Sequence, residues 1–150
     1  MATTKSIRDE IRAIATEWPE IPVPDLRMSG RLVRSIAYVR FGPQVAGGVL
    51  RWVPKVLTVS SAIWRHLSPY DRRQVVGHEL AHVSAVAKYQ RAALFSEAHG
   101  HYWQTTAEDM AIAPEPFANP SMAGAIVAAR TDLGLTVAPW MRRYASGRLL

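Results

Sequence analysis

Cysteine is absent from this chain of 150 residues. Its absence excludes a disulfide-stapled fold, a thiol nucleophile, an iron–sulfur cluster and a Cys-ligated zinc ribbon, so any bound metal must be held by His, Asp or Glu. Long apolar runs are missing as well. No window approaches the roughly 18 consecutive apolar residues of a membrane helix, and acidic residues interrupt the N-terminal stretch where a secretory signal would be apolar. The sequence therefore predicts a cytoplasmic protein without membrane contact.

The composition is that of an ordinary globular domain. The chain is 49% hydrophobic and 20% charged, which is enough apolar character for a core and too much for a disordered chain. At this length we expect one domain over residues 1–150. Its core is predicted at about residues 5–113, followed by a helical C-terminal extension at 114–150.

Basic charge is concentrated in one stretch of the chain, whose net charge is +6. Residues 27–73 contain nine Lys or Arg residues and one acidic residue, Asp71. Most of the basic residues are Arg, whose planar guanidinium suits phosphate contacts. The stretch therefore indicates either a DNA-contacting surface or an Arg-rich solvated surface, since no recognised nucleic-acid-binding signature accompanies it. The candidate DNA-contact residues are Arg31, Arg34 and Arg51.

The residue pattern predicts an α+β fold. Residues 6–18 have the spacing of an amphipathic helix, and alternating β-branched and aromatic residues predict a sheet of three short antiparallel strands at 34–42, 47–53 and 55–60. Further helices are expected at about 69–90, 99–113 and 119–134, where Ser or Asn caps and Pro at the first helical position mark two of the starts.

The most informative segment is a His-Glu-x-x-His motif within the longest predicted helix. His78 and His82 lie one helical turn apart, with Cβ atoms about 5–6 Å apart, so both imidazoles can reach one zinc ion at about 2.0–2.1 Å. Glu79 lies beside them, where it can act as a general base toward a water molecule at the metal. The alternative is a structural His pair whose ring nitrogens find other partners.

A third protein ligand is needed, because a catalytic zinc site has three ligands and one open position. His99 is the preferred candidate, since it precedes a predicted helix and Gly100 allows a close backbone turn there. His101, Glu97 and Glu108 are the alternatives. The sequence thus predicts one Zn²⁺ per chain.

In their order along the chain these segments resemble the SprT-like zinc metallopeptidases. The resemblance rests on VLTVSSAIW, a Ser-Pro helix start, VVGHELAHVSA, and HGHYW at the position of the family's His-Gly-x-x-aromatic element, and it covers about residues 5–113. It implies a small zincin-like domain with the sheet packed on the motif helix. It also implies that His78, His82 and His99 bind zinc, that Glu79 is catalytic, and that the substrate lies along the strand at residues 55–60.

The chain departs from the family in lacking the Cys-rich zinc ribbon that many members have. It also does not fit the metzincin pattern, whose third His would fall at Lys88. A ligand set completed by Glu97 or Glu108 is the gluzincin alternative.

The sequence therefore predicts a zinc-dependent endopeptidase that acts on polypeptides. The family's association with DNA-bound proteins agrees with the basic stretch. The alternatives are a zinc-containing DNA- or protein-binding module of the phage or mobile-element kind with little or no turnover, and a metal hydrolase acting on other bonds. Candidates for contact with the substrate or the oxyanion are His101, Tyr102 and Tyr70.

Overall fold

Seven helices and a three-stranded sheet form the described part of the chain, residues 4–113 and 118–147 of a computed structural model. The α+β class predicted from the sequence is confirmed. Residues 114–117 and 148–150 of the predicted C-terminal extension lie outside the described residues. In chain order the elements are α1 (Thr4–Ala15), β1 (Asp25–Ser29), β2 (Ala37–Ala46), β3 (Val49–Ser60), α2 (Ser61–Trp64), α3 (Pro69–Tyr89), α4 (Arg91–Leu94), α5 (His101–Asp109), α6 (Pro120–Asp132) and α7 (Pro139–Ala145).

The sheet has the strand order β1-β3-β2, with β3 parallel to β1 and antiparallel to β2. The predicted number of strands is therefore confirmed, but an entirely antiparallel sheet is wrong. Residues 47–53 and 55–60, expected to be two strands, belong mainly to the single strand β3, and β1 was not predicted. Strand β3 continues through Pro54 because β1 pairs only with Val56–Ser60. At Pro54 the strand has a neighbour on the β2 side only, so the missing N–H of the proline costs no hydrogen bond to β1.

A two-glycine turn joins β2 to β3. Gly47 and Gly48 have φ angles of 58° and 77°, in the left-handed region that side chains with a Cβ disfavour. Two such residues in succession make the tight hairpin whose twist matches the flanking strands. The hairpin fixes the antiparallel register from Ala46 opposite Val49 to Phe41 opposite Pro54, and a bulge between Arg40 and Phe41 shifts it by one residue, so that Ala37 lies opposite Val59.

Helix α3 begins where the sequence predicts. Ser68 caps it by accepting a hydrogen bond from the Asp71 backbone N–H at 3.1 Å, and Pro69 occupies the first turn. The helix is buried over much of its length between the sheet, α1 and α5. A Cβ on Gly77 would overlap the side chain of Ile112, so only glycine allows the segment after α5 to pack this closely against the helix.

Two of the C-terminal helices lie where the sequence predicts them, although α5 is shorter than expected. Helix α5 begins at His101, two residues later than expected, and ends at Asp109, four residues earlier, and α6 begins at Pro120 after an Asn119 cap that accepts from the Met122 N–H at 2.8 Å. The short helices α2 and α4, and the helix α7, had no clear sequence signal. Within the described ranges, no helix combines the length and the apolar character needed to cross a bilayer.

Candidate metal centre

Three histidine side chains converge at one point, as the sequence predicts. His78 and His82 project from the middle of α3, and His99 lies just before α5. The Nε2 atom of His99 is 3.0 Å from Nε2 of His78 and 3.2 Å from Nε2 of His82. Zn–N bonds of about 2.05 Å at tetrahedral angles place two ligand nitrogens about 3.4 Å apart, within a few tenths of an ångström of these separations. The three histidines therefore lie close enough to bind a metal ion.

The chemistry of the three rings also fits a cation. Burial, together with a smaller effect of the neighbouring histidines, lowers the pKa of His78 to about 4 and that of His82 to about 3. Burial likewise lowers the pKa of His99, against an opposing effect of the Glu97 carboxylate. The three rings are therefore uncharged at neutral pH. One Nε2–H proton satisfies only one of the contacts between Nε2 atoms, whereas a cation at their centre accepts a lone pair from each of the three rings.

The Trp103 side chain packs against all three histidine rings. Its indole ring is 2% exposed, and its centroid lies 4.7 Å from His78, 5.6 Å from His82 and 5.0 Å from His99. The indole Nε1–H donates to the backbone carbonyl of His78 at 3.2 Å. This one side chain therefore holds α5, and with it His99, against the motif helix.

The other candidates for the third ligand lie elsewhere. Glu97, His101 and Glu108 are exposed, and none of them belongs to the cluster of ligand atoms found among the described residues. Gly100 separates His99 from the helix, and its N–H bonds to the Glu97 carbonyl at 3.0 Å, so the chain turns between His99 and His101.

The Glu79 side chain lies beside the cluster and is buried, with 7% of its surface exposed. Burial raises the pKa of its carboxyl group to about 8. The carboxylate makes no hydrogen bond to any residue in the described ranges, so no neighbouring side chain or backbone group holds it in one protonation state. A cation nearby favours the ionised form and brings the pKa down. Glu79 is thus a buried carboxyl group beside the three histidines whose ionisation depends on whether a cation is bound there.

Glu79 and the three histidines open into a cleft of about 630 Å³, a volume within the usual range of ligand sites. Helix α3 forms one side and the start of β2 forms another. Residues from α6 complete the lining. Away from the histidine cluster, the cleft is lined by residues that include Arg34–Tyr38, Tyr70, Gln74, Val75, Asn119, Met122 and Ile126.

The strand that borders the cleft is β2, which lies at an edge of the sheet. The Ser60 N–H donates to the Ile36 carbonyl at 2.8 Å, so Ile36 and Tyr38 direct their backbone groups toward β3. By the alternation of an antiparallel pair, Ala37 and Val39 direct theirs away from the sheet. No strand in the described ranges pairs with this edge.

The expected substrate strand at residues 55–60 is therefore wrong. Residues Val56–Ser60 form the middle of the sheet, paired with β1 on one side and β2 on the other. They have no free backbone groups with which an added strand could pair. The error follows from missing β1, because without that strand β3 would itself have been an edge.

Tyr70 is the only one of the three candidate oxyanion or substrate contacts that lines the described cleft. It lies two turns before His78 on α3, about 12 Å away along the helix axis, so it flanks the cluster. His101 is exposed and contacts Tyr102, whose ring packs on Tyr89 at a centroid distance of 4.6 Å.

The basic stretch does not form one continuous surface. Arg34 is exposed and lines the cleft, and Arg31 is exposed three residues earlier. Arg51 lies at the opposite end of the β2–β3 ribbon, about 26 Å along the strand from the end near Arg34, and donates to the Ala87 carbonyl at 3.0 Å. Arg72 and Arg73 form ion pairs with glutamates of the α1 region.

Comparison with protein-family models, with curated proteins and with solved structures found no match to this chain. The resemblance to the SprT-like metallopeptidases therefore depends on the residues and their spacing alone and stays a prediction.

Sequence reasoning did not anticipate that Met122 and Ile126 line the cleft. They lie 40 or more residues from the metal-binding motif, and their spacing on α6 is that of any helix face packed on a core. Only the three-dimensional packing brings them to the site.

Proposed function

We propose that this protein is a zinc-dependent endopeptidase. The observation that carries the proposal is the convergence of His78, His82 and His99 beside the buried carboxylate of Glu79, in a cleft bordered by a free strand edge. Three imidazole nitrogens with room for a fourth ligand are the donor set of catalytic zinc. When bound, zinc would polarise the scissile carbonyl and lower the pKa of a water molecule.

The strand edge supports a polypeptide as the substrate. The backbone N–H and carbonyl groups of Ala37 and Val39 point away from β3, so an extended peptide can add to β2 as a further strand. Such pairing recognises the peptide backbone and holds several residues in register. The scissile bond would then pass the end of the edge strand near the histidine cluster.

Glu79 would carry the proton through the reaction. Its carboxylate takes a proton from the attacking water, the water oxygen bonds to the carbonyl carbon, and the carbon–nitrogen bond breaks. The same proton passes from Glu79 to the leaving amine, so the products are a carboxylate and a new amino terminus. The position of Glu79 supports both steps, because its buried carboxylate borders the same cleft as the three histidines and makes no hydrogen bond to a described residue.

The test is metal-dependent cleavage of an unfolded polypeptide, followed by counting new amino termini by mass spectrometry. We expect cleavage with zinc, loss of cleavage with a chelator and recovery when zinc is restored. His82→Ala is expected to remove both metal and cleavage. Metal binding without cleavage would favour the non-enzymatic module, and equal cleavage by wild type and His82→Ala would contradict the proposal.

We also propose that DNA binds near the cleft, because Arg34 is exposed in its lining and Arg31 is exposed three residues earlier in the chain. Each neutralised phosphate contributes about −0.7 to −0.9 to the slope of log affinity against log salt. Removing the charges of Arg31 and Arg34 together is therefore expected to flatten the slope by about 1.4 to 1.8 units, with metal content unchanged.

Fluorescence anisotropy of labelled DNA across a salt series measures that slope. The matched control removes charge outside the basic stretch, at Arg142 and Arg143 of α7, and should leave the slope close to that of wild type. An equal change in the control, or binding that does not respond to salt, would contradict a DNA site at the cleft.

A further inference from the structure

Four apolar side chains larger than alanine line the cleft that holds the histidine cluster. Met122 and Ile126 lie one turn apart on α6, Val75 lies on α3 one turn before His78, and Ile36 precedes β2. We name this set the apolar wall. It is continuous with the histidine cluster, since both border the same cavity of about 630 Å³.

We propose that the apolar wall is a specificity pocket that receives a bulky aliphatic or aromatic side chain of the substrate, next to the bond that is cleaved. The inference rests on the proposed peptidase function and adds the substrate class. Met122 and Ile126 would then be specificity-determining residues contributed by the C-terminal helices.

The helix that carries the wall is fixed to the metal-binding helix. Asp71 on α3 is 1% exposed, and its carboxylate accepts hydrogen bonds from Asn119 Nδ2 at 3.2 Å and Ser121 Oγ at 2.6 Å. Both donors lie at the start of α6, next to Met122. Since Asp71, Val75 and His78 share one helix, these two hydrogen bonds tie the start of α6, and with it Met122, to the helix that carries two of the three histidines.

The chemistry of the lining favours an apolar occupant. Apart from the histidines, the ionisable side chains of the described lining are Arg34, Tyr38, Tyr70 and Glu79, and Glu79 is assigned to proton transfer. An ionised substrate side chain against the wall would lose its hydration without gaining a partner, whereas an aliphatic one gains by leaving water. An extended chain paired to β2 presents every second side chain on the same face, so one residue near the scissile bond can meet the wall.

The pocket predicts a measurable preference among substrates. A difference of a few methylene groups in an apolar pocket changes kcat/KM by about 10-fold or more. We expect cleavage sites in unfolded polypeptides to be enriched at least about 10-fold for Leu, Met or Phe over Ala at one position beside the bond.

Two substitutions at Met122 test whether α6 sets this preference. Met122→Trp fills the pocket and should shift the cleavage profile toward Ala and Gly, whereas Met122→Ala enlarges it and should shift the profile toward Phe and Trp. Leu133→Trp is the matched control, because Leu133 is exposed at the end of the same helix and does not line the described cleft. Thermal unfolding shows whether each variant folds, and Met122→Ala carries the test if the Trp variant does not.

Peptide binding separates a failure of this proposal from a failure of the peptidase function. The probe is a pair of labelled peptides that differ by Leu or Ala at one position, titrated into zinc-loaded Glu79→Gln protein. We expect the Leu peptide to bind about 10-fold more tightly and Met122→Trp to abolish the difference.

Cleavage by wild type with an unchanged profile in both Met122 variants would overturn the pocket alone. If wild type cleaves nothing the peptidase function fails, and equal affinities for the two peptides would then overturn the pocket as well.

Discussion

Glu79→Gln is expected to lose at least about 100-fold in the rate of polypeptide cleavage while keeping its metal and its fold. Glutamine has nearly the shape of glutamate but cannot accept the proton that hydrolysis must move. The substitution removes no metal ligand, because Glu79 lies outside the cluster formed by His78, His82 and His99. Initial rates on a quenched fluorescent polypeptide, together with zinc content by elemental analysis, measure both effects.

The matched control is Glu108→Gln, the same chemical change at an exposed position of α5. It should retain the wild-type rate and zinc content. Equal rates for Glu79→Gln and wild type would contradict the general-base role. Loss of zinc from Glu79→Gln would instead show that this carboxylate supports metal binding.

The parts of the structure that the sequence predicts are those decided by neighbouring residues. The Ser68 cap and Pro69 set the start of α3, and the four-residue spacing of His78 and His82 places both rings on one helix face. Each signal acts within one or two helical turns. The same applies to the Asn119 cap that begins α6.

The features that the sequence analysis missed depend on contacts between distant segments. Strand β1 is five residues long and pairs with a strand some 30 residues later, so nothing local identifies it as part of the sheet. Whether β3 is central or at an edge follows from that pairing, which is why the free edge was assigned to the wrong strand. His99 is an intermediate case. Its residue type and its place just before a helix can be predicted from the sequence, whereas its approach to α3 depends on the packing of Trp103.

His99→Ala is expected to lower zinc affinity by orders of magnitude, whereas His101→Ala is expected to leave it close to that of wild type. His99 Nε2 lies within 3.2 Å of the Nε2 atoms of both motif histidines, while His101 is exposed beyond the turn at Gly100. Losing one of three protein ligands removes a metal bond and leaves two neutral imidazoles to hold the ion. Competition with a chromophoric chelator measures the affinity of each variant.

Thermal unfolding gives an independent measure of zinc binding by the same two variants. A ligand that binds only the folded chain at 1,000 times its Kd stabilises it by about 4 kcal/mol, so zinc should raise the unfolding temperature of wild type and His101→Ala alike. The same zinc concentration should move His99→Ala little, because its Kd would lie near or above that concentration. A large zinc-dependent stabilisation of His99→Ala together with none for His101→Ala would mean that the metal site is built on His101, and the position of α5 against α3 would have to differ accordingly.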